Sequence, residues 1–307
     1  MNAVLTTPVS TPNVSTPNVS ISTSAMLVEL SISTWTGRKL DKRASQDVTT
    51  SNNARKGVAN VNKKLLGDCA ELDAVQKFVA NVRNSHYAAT MPWSDTGLRL
   101  LPTAQYFAYH KQMTDLQTEF DRLVGVFLQA YEWEIQNAQL KLGDLFNADE
   151  YPSADSLKFK FKYRLNYIRL AEAGDWRLDM EQEAQQALRE QYDKFYQAQF
   201  QDAMKDVWRR AYDALTKMSD KLDYTDVSSK KIFRDTLVSN VMDIIDLMEV
   251  CNITRDPAMT EAQGRIRYAL QGITPDALRE DAHLRADTKR QVDEVRQIID
   301  NLPGMGF

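Results

Sequence analysis

EQEAQQALREQYDKFYQAQFQDAMKDVWRRAYDALTKMSDKL, residues 181–222, decides the architecture. Leu188, Tyr192, Phe195, Tyr196, Phe200, Met204, Val207, Trp208, Ala211, Leu215, Met218 and Leu222 return every three to five residues with polar side chains between them. Side chains at that spacing share one broad stripe, which predicts a single helix over 181–222. A helix this long outruns one small core, so its stripe must pack on another helix or another chain.

A second long helix is predicted over 103–142. Tyr106, His110, Met113, Gln117, Phe120, Val124, Phe127, Tyr131, Ile135, Ala138 and Leu142 step by four and three, close to a heptad seam, and Pro102 suits its first turn. The two seams allow an antiparallel helical hairpin within the chain or a coiled-coil contact between chains.

Two short strands complete the pattern. LVELSIST, 27–34, alternates Val28, Leu30 and Ile32 with Glu29, Ser31 and Ser33. KFKFKYRLNY, 158–167, alternates Phe159, Phe161, Tyr163, Leu165 and Tyr167 with Lys158, Lys160, Lys162 and Arg164, so one face is aromatic and the other cationic. Asp41 to Leu66 reads as one or two weak helices through Val48, Val58, Val61 and Leu65. A helix follows over 68–84, then a packed connector, HYAATMPWSDTGLRLLP, whose prolines and glycine forbid a continuous helix. A Gly174-Asp175 turn with Trp176 and Leu178 leads into 181–222. Further helices are expected from Ser228 through Cys251, from Asp256-Pro257, from Pro275 and through Leu284 to Leu302. The fold class is therefore mainly α with a minor β-sheet. The expected organisation is a disordered Ser/Thr/Pro/Asn-rich arm at 1–25 carrying STPNV twice, one elongated helical domain at 26–302, and a flexible tail at 303–307.

Composition narrows the function classes. No apolar stretch reaches the roughly 18–20 residues that span a bilayer, and the start lacks a secretory signal, so a cytoplasmic protein without membrane contact is expected. Cys69 and Cys251 are far apart in the chain, and a reducing compartment suits them. His86, His110 and His283 form no pair, HExxH and CxxC are absent, and neither GxxxxGK[ST] nor GxGxxG occurs. No catalytic residue, metal ligand or cofactor is assigned, and a non-enzymatic protein is expected. Asp243 and Asp246, one helix turn apart, read as a solvated face.

Charge is distributed unevenly. Lys158, Lys160, Lys162 and Arg164 form one basic run; Arg38, Lys39, Lys42 and Arg43, followed by Arg55, Lys56, Lys63 and Lys64, form another, in a chain of net charge −4. Cations follow a phosphate backbone and aromatics stack on unpaired bases, which makes these residues the candidate contacts to nucleic acid or another anion. An edge strand that buries its aromatics and shows lysine to water explains the same alternation. The expected partners are another protein or a second copy, with nucleic acid as the alternative.

SISTWTGRKLDK at 31–42, MPWSDTGLRLLP at 91–102, AGDWRLDM at 173–180 and FRDTLVSNVMDIIDLMEVCNI at 233–253 are distinctive strings. Through them the chain after Met26 resembles a family of uncharacterised proteins, a domain of unknown function, from bacterial and tailed-phage genomes. The resemblance implies a phage or prophage context and an adaptor or client role toward AAA+ ATPases of the MoxR type. It carries over no catalytic residue.

Overall fold

The computed structural model of the chain describes residues 21–170, 182–224 and 231–302. The described chain is mainly helical with a small antiparallel component. The turn expected at Gly174-Asp175, most of the arm and the tail at 303–307 lie outside the described residues. Ile21–Ser24 forms one helical turn (α1), and Ala25 already begins a strand, so order starts before the expected boundary at Met26. Among the described residues, no helix is long and apolar enough to cross a membrane.

Contacts divide the chain into two compact units with their boundary at Asp206–Val207. In the first, β1 (Ala25–Ser33) is followed by β2 (Arg38–Asp41), α2 (Lys42–Ser51), β3 (Val61–Lys64), α3 (Ala70–Ala89), β4 (Met91–Pro92), β5 (Arg99–Pro102), α4 (Tyr106–Leu142), α5 (Ala154–Lys158) and β6 (Lys162–Ile168). One sheet has the order β4-β5-β1-β6, and β2 pairs with β3 in a separate antiparallel ribbon. β1 and β6 run antiparallel with Leu27 opposite Ile168 and Ser33 opposite Lys162.

Several expected boundaries move. The strand predicted over 158–167 begins only at Lys162. The Ser153 side chain accepts from Ser156 N–H and starts α5, which takes up Lys158, while Lys160 sits in the turn closed by its N–H on the Leu157 carbonyl. The weak helix expected through Val61 and Leu65 is strand β3 instead, and Val58 is exposed. The helix expected over 68–84 continues to Ala89, and the connector beyond it folds as the β4–β5 hairpin.

α4 lays its inner stripe against α3 and the sheet. Met113, Phe120, Val124, Phe127, Tyr131 and Ala138 are buried as expected, in one cluster with Val28, Ile32, Trp35, Leu72, Val75, Val79 and Val82. His110 and Gln117 are exposed, and Tyr109 enters the core in place of His110. The ring of Phe127 lies 6.2 Å from Trp35, 5.8 Å from Tyr131 and 5.6 Å from Phe161, the offset and edge-on separations that aromatic pairs favour. Hydroxyls tie the same cluster to the backbone: Tyr131 donates to the Pro152 carbonyl at 2.9 Å and Tyr163 to that of Met113 at 3.0 Å. Gly37 permits a close crossing, since it adopts φ +63° and a Cβ there would meet Leu72 Cδ2 at 2.7 Å.

α6 (Gln182–Leu222) agrees with the helix expected over 181–222. Its part in the first unit buries Phe200 and Ala203 and sets Tyr196 edge-on to Trp93 at 5.4 Å. In the second unit its residues from Val207 join α7 (Thr236–Cys251), α8 (Pro257–Leu270), α9 (Pro275–Glu280) and α10 (Ala282–Asp300). α7 starts later than the helix expected from Ser228, and Ile232 is exposed outside it. Trp208, Leu215, Met218, Ile245, Met248, Ile266, Val292 and Ile299 are buried in this unit, and Ser219 donates to Asp293 across α6 and α10 at 2.6 Å. Asp256, Thr274 and Asp281 cap α8, α9 and α10 with their side chains. Buried Arg285 donates to the Leu278 carbonyl at 3.0 Å and stands over the Tyr224 ring at 3.9 Å, satisfying the C-terminal carbonyls that α9 leaves open.

Candidate interaction surfaces

β6 ends the four-stranded sheet, and its two faces divide as the alternation predicts. Tyr163, Leu165 and Tyr167 are half-buried toward α4, where Tyr163 packs 5.8 Å from Phe120 and Tyr167 pairs with His110 Nδ1 at 3.1 Å. Lys162 and Arg164 are exposed on the other face, and their partners across the ladder are Ser33 and Ser31, which carry no charge. Lys158 and Lys160 are exposed before the strand, and Phe159 between them is 73% exposed instead of joining the aromatic face. Among the described residues, Lys158, Lys160, Lys162 and Arg164 make no ion pair.

The second basic group is partly neutralised. The β2–β3 register sets Arg38 against Lys64 and Lys39 against Lys63, like charges that destabilise a ribbon unless they are compensated. Glu150 compensates one pair, 2.8 Å from Lys63 and 4.0 Å from Lys39, with Asp41 3.7 Å from Lys63. Arg38, Lys42 and Arg43 remain exposed and without an ion pair among the described residues, the last two in the first turn of α2 where the helix dipole is positive. Arg38 follows Ser33 by five residues, and Ser33 faces Lys162, so the Cα atoms of Arg38 and Lys162 lie at most about 22 Å apart.

α4 carries a second stripe that the inner seam hides in the sequence. Val126, Trp133 and Leu140, each seven residues from the next, are 42%, 62% and 86% exposed, with Leu123, Ala130 and Asn137 half-buried between them. The steps of three and four from Leu123 to Leu140 are those of a coiled-coil seam, with Asn137 as a polar residue of the kind that sets register. Counting every three or four residues from Leu123 would have found it, but the larger aromatic seam on the same helix takes the eye.

Two buried polar groups face neither surface. His86 Nδ1 and the Tyr109 hydroxyl share a hydrogen bond at 2.7 Å, and burial, reinforced by the Arg99 cation, lowers the imidazole pKa to about 4. Cys69, Glu71 and Glu134 bring a thiol and two carboxylates within 4.8 Å of one another, and burial pushes the Cys69 thiol up to about 11. Sequence spacing does not disclose this trio because Glu134 comes from α4. Asp246 and Glu249 bind Arg267 at 2.7 and 2.6 Å on the solvent side of α7, while Asp243 is exposed.

Compared with protein-family models, curated proteins and solved structures, the chain matches none. Its function is therefore read from the two surfaces.

Proposed function

We propose that the chain is a non-enzymatic interaction protein that binds another helix, from a second copy or a partner, through the outer stripe of α4, in the phage or prophage context that the resemblance implies. The carrying observation is the exposure of Val126, Trp133 and Leu140 at intervals of seven on one helix. Scattered apolar residues on a surface need no explanation, but an ordered row at heptad spacing is what a second helix covers. An adaptor role toward an AAA+ ATPase is one form this function takes. Trp133→Glu combined with Leu140→Glu should weaken association at least about thirtyfold, since a buried tryptophan anchor contributes about 2 kcal/mol or more. Sedimentation of the purified chain over a wide concentration range, and capture of the AAA+ partner, measure the loss. Unchanged association in the folded variant refutes the stripe.

A second reading is favoured by the uncompensated cations on and before β6. Lys158, Lys160, Lys162 and Arg164, with Arg38, Lys39, Lys42 and Arg43 beyond them, would contact phosphate while exposed Phe159 stacks on an unpaired base. Contacts from the four cations at 158–164 alone predict that the logarithm of duplex affinity falls with the logarithm of salt at a slope of at least about −3 to −4, and the second basic group steepens it. Changing Lys158, Lys160 and Lys162 to glutamate should abolish DNA binding in a fluorescence-anisotropy titration while circular dichroism stays the same. Binding that ignores both salt and charge reversal excludes this reading.

A further inference from the structure

We propose that Cys69, Glu71 and Glu134 bind a divalent cation of the zinc class, clamping the start of α3 to α4. The donor set points to that class, because a thiolate with carboxylates suits zinc or cobalt, whereas magnesium and calcium take oxygen alone. The Cys69 Sγ and the Glu71 carboxylate already approach at 3.5 Å, at the N-terminus of a helix whose dipole favours negative ligands.

The independent sign of a ligand is Glu134. It is 4% exposed, its carboxylate reaches into this cluster, and its buried Oε2 accepts no hydrogen bond among the described residues. A buried carboxylate oxygen left without a partner is costly, and native structures satisfy it with a donor, water or a cation. The Lys141 ammonium lies 4.0 Å from it, too far for a hydrogen bond, and is held by the Asp68 side chain at 3.1 Å and the Asp68 carbonyl at 3.3 Å. Asp68, Glu71, Glu134 and the Cys69 thiolate together outweigh Lys141 and the nearby Lys64 by two charges, and a dication balances the excess.

The ligand atoms need only draw in by side-chain rotation, since donors on a tetrahedral zinc ion lie roughly 3–4 Å apart. Cys69 also lines a surface groove beside Gly67 and Asp73. On binding, the Cys69 S–H bond breaks as the sulfur–metal bond forms, the proton leaves to water and the metal keeps its oxidation state. Three protein ligands leave the fourth position to water.

The test is a cobalt(II) titration of the full chain in metal-free buffer with its thiols reduced. One equivalent should bind with a thiolate-to-cobalt charge-transfer band that Cys69→Ser removes and Cys251→Ser keeps. Glu134→Gln should weaken binding about tenfold or more, and zinc should displace cobalt and raise the Tm of the natural chain but not of Cys69→Ser. No thiolate band, or a band that survives Cys69→Ser, overturns the site. Should Cys69→Ser fail to fold, Glu71→Gln gives the same readout at a less buried ligand, and undiminished affinity there overturns it equally.

Discussion

Replacing Phe127 by alanine will destabilise the first unit by about 3–5 kcal/mol, enough to unfold a domain of ordinary stability. Phe127 is fully buried at the meeting point of Trp35 from the segment after β1, Tyr131 one turn along α4, and Phe161 before β6. Its removal leaves a cavity that three large rings cannot collapse into, because each is anchored elsewhere: Tyr131 by its bond to Pro152, Phe161 by the turn after α5, Trp35 by the bond its carbonyl accepts from Gln76. Phe127→Leu keeps most of the volume and should cost less than about 1.5 kcal/mol. Urea unfolding followed by tryptophan fluorescence measures both. Equal, small losses in the two variants would show that this aromatic cluster is not the centre of the unit.

Acidification should remove about 3 kcal/mol of stability between neutral pH and pH 4 through His86 alone. In the folded chain its pKa stands at about 4, first because it is buried and then because the Arg99 cation repels a second charge. Once unfolded it returns to about 6.5. The unfolded state therefore binds the proton that the folded state refuses. The contribution is complete above about pH 6.5, and it declines by about 1.4 kcal/mol per unit as pH falls toward 4. His86→Gln should flatten that dependence in urea titrations at pH 7, 5.5 and 4.5, although losing the bond to Tyr109 lowers its stability at every pH. A variant whose stability falls with acid as steeply as the natural chain's would assign the dependence to other groups.

The long helices were legible because their apolar period is sustained over many turns, far longer than chance alternation allows. The inner seam of α4 failed only in its first half, at His110 and Gln117. An ideal helix drifts by about 20° per heptad, so three heptads before Tyr131 the strict repeat indicates His110 while the core meets Tyr109. The β2–β3 ribbon and the β4–β5 hairpin were not legible, for their strands run two to four residues and Val61, Asn62, Lys63 and Lys64 show no apolar alternation. In the basic run the identity of the exposed cations was readable, but the local cap at Ser153 moved Lys158 and Lys160 off the strand. The outer stripe of α4 was present in the sequence and overlooked, whereas Glu134's approach to Cys69 exists only in three dimensions.

The β2–β3 ribbon has a consequence for how the chain is made. Its opposed lysines are compensated by Glu150, and the neighbouring Tyr151 donates its hydroxyl to the Leu65 carbonyl from 86 residues downstream. At roughly 5–20 residues per second of synthesis, Leu65 precedes Tyr151 by several seconds. During that interval Asp41 is the one counter-charge the ribbon's cations carry, so their full compensation waits until α4 has been made and the chain has turned back.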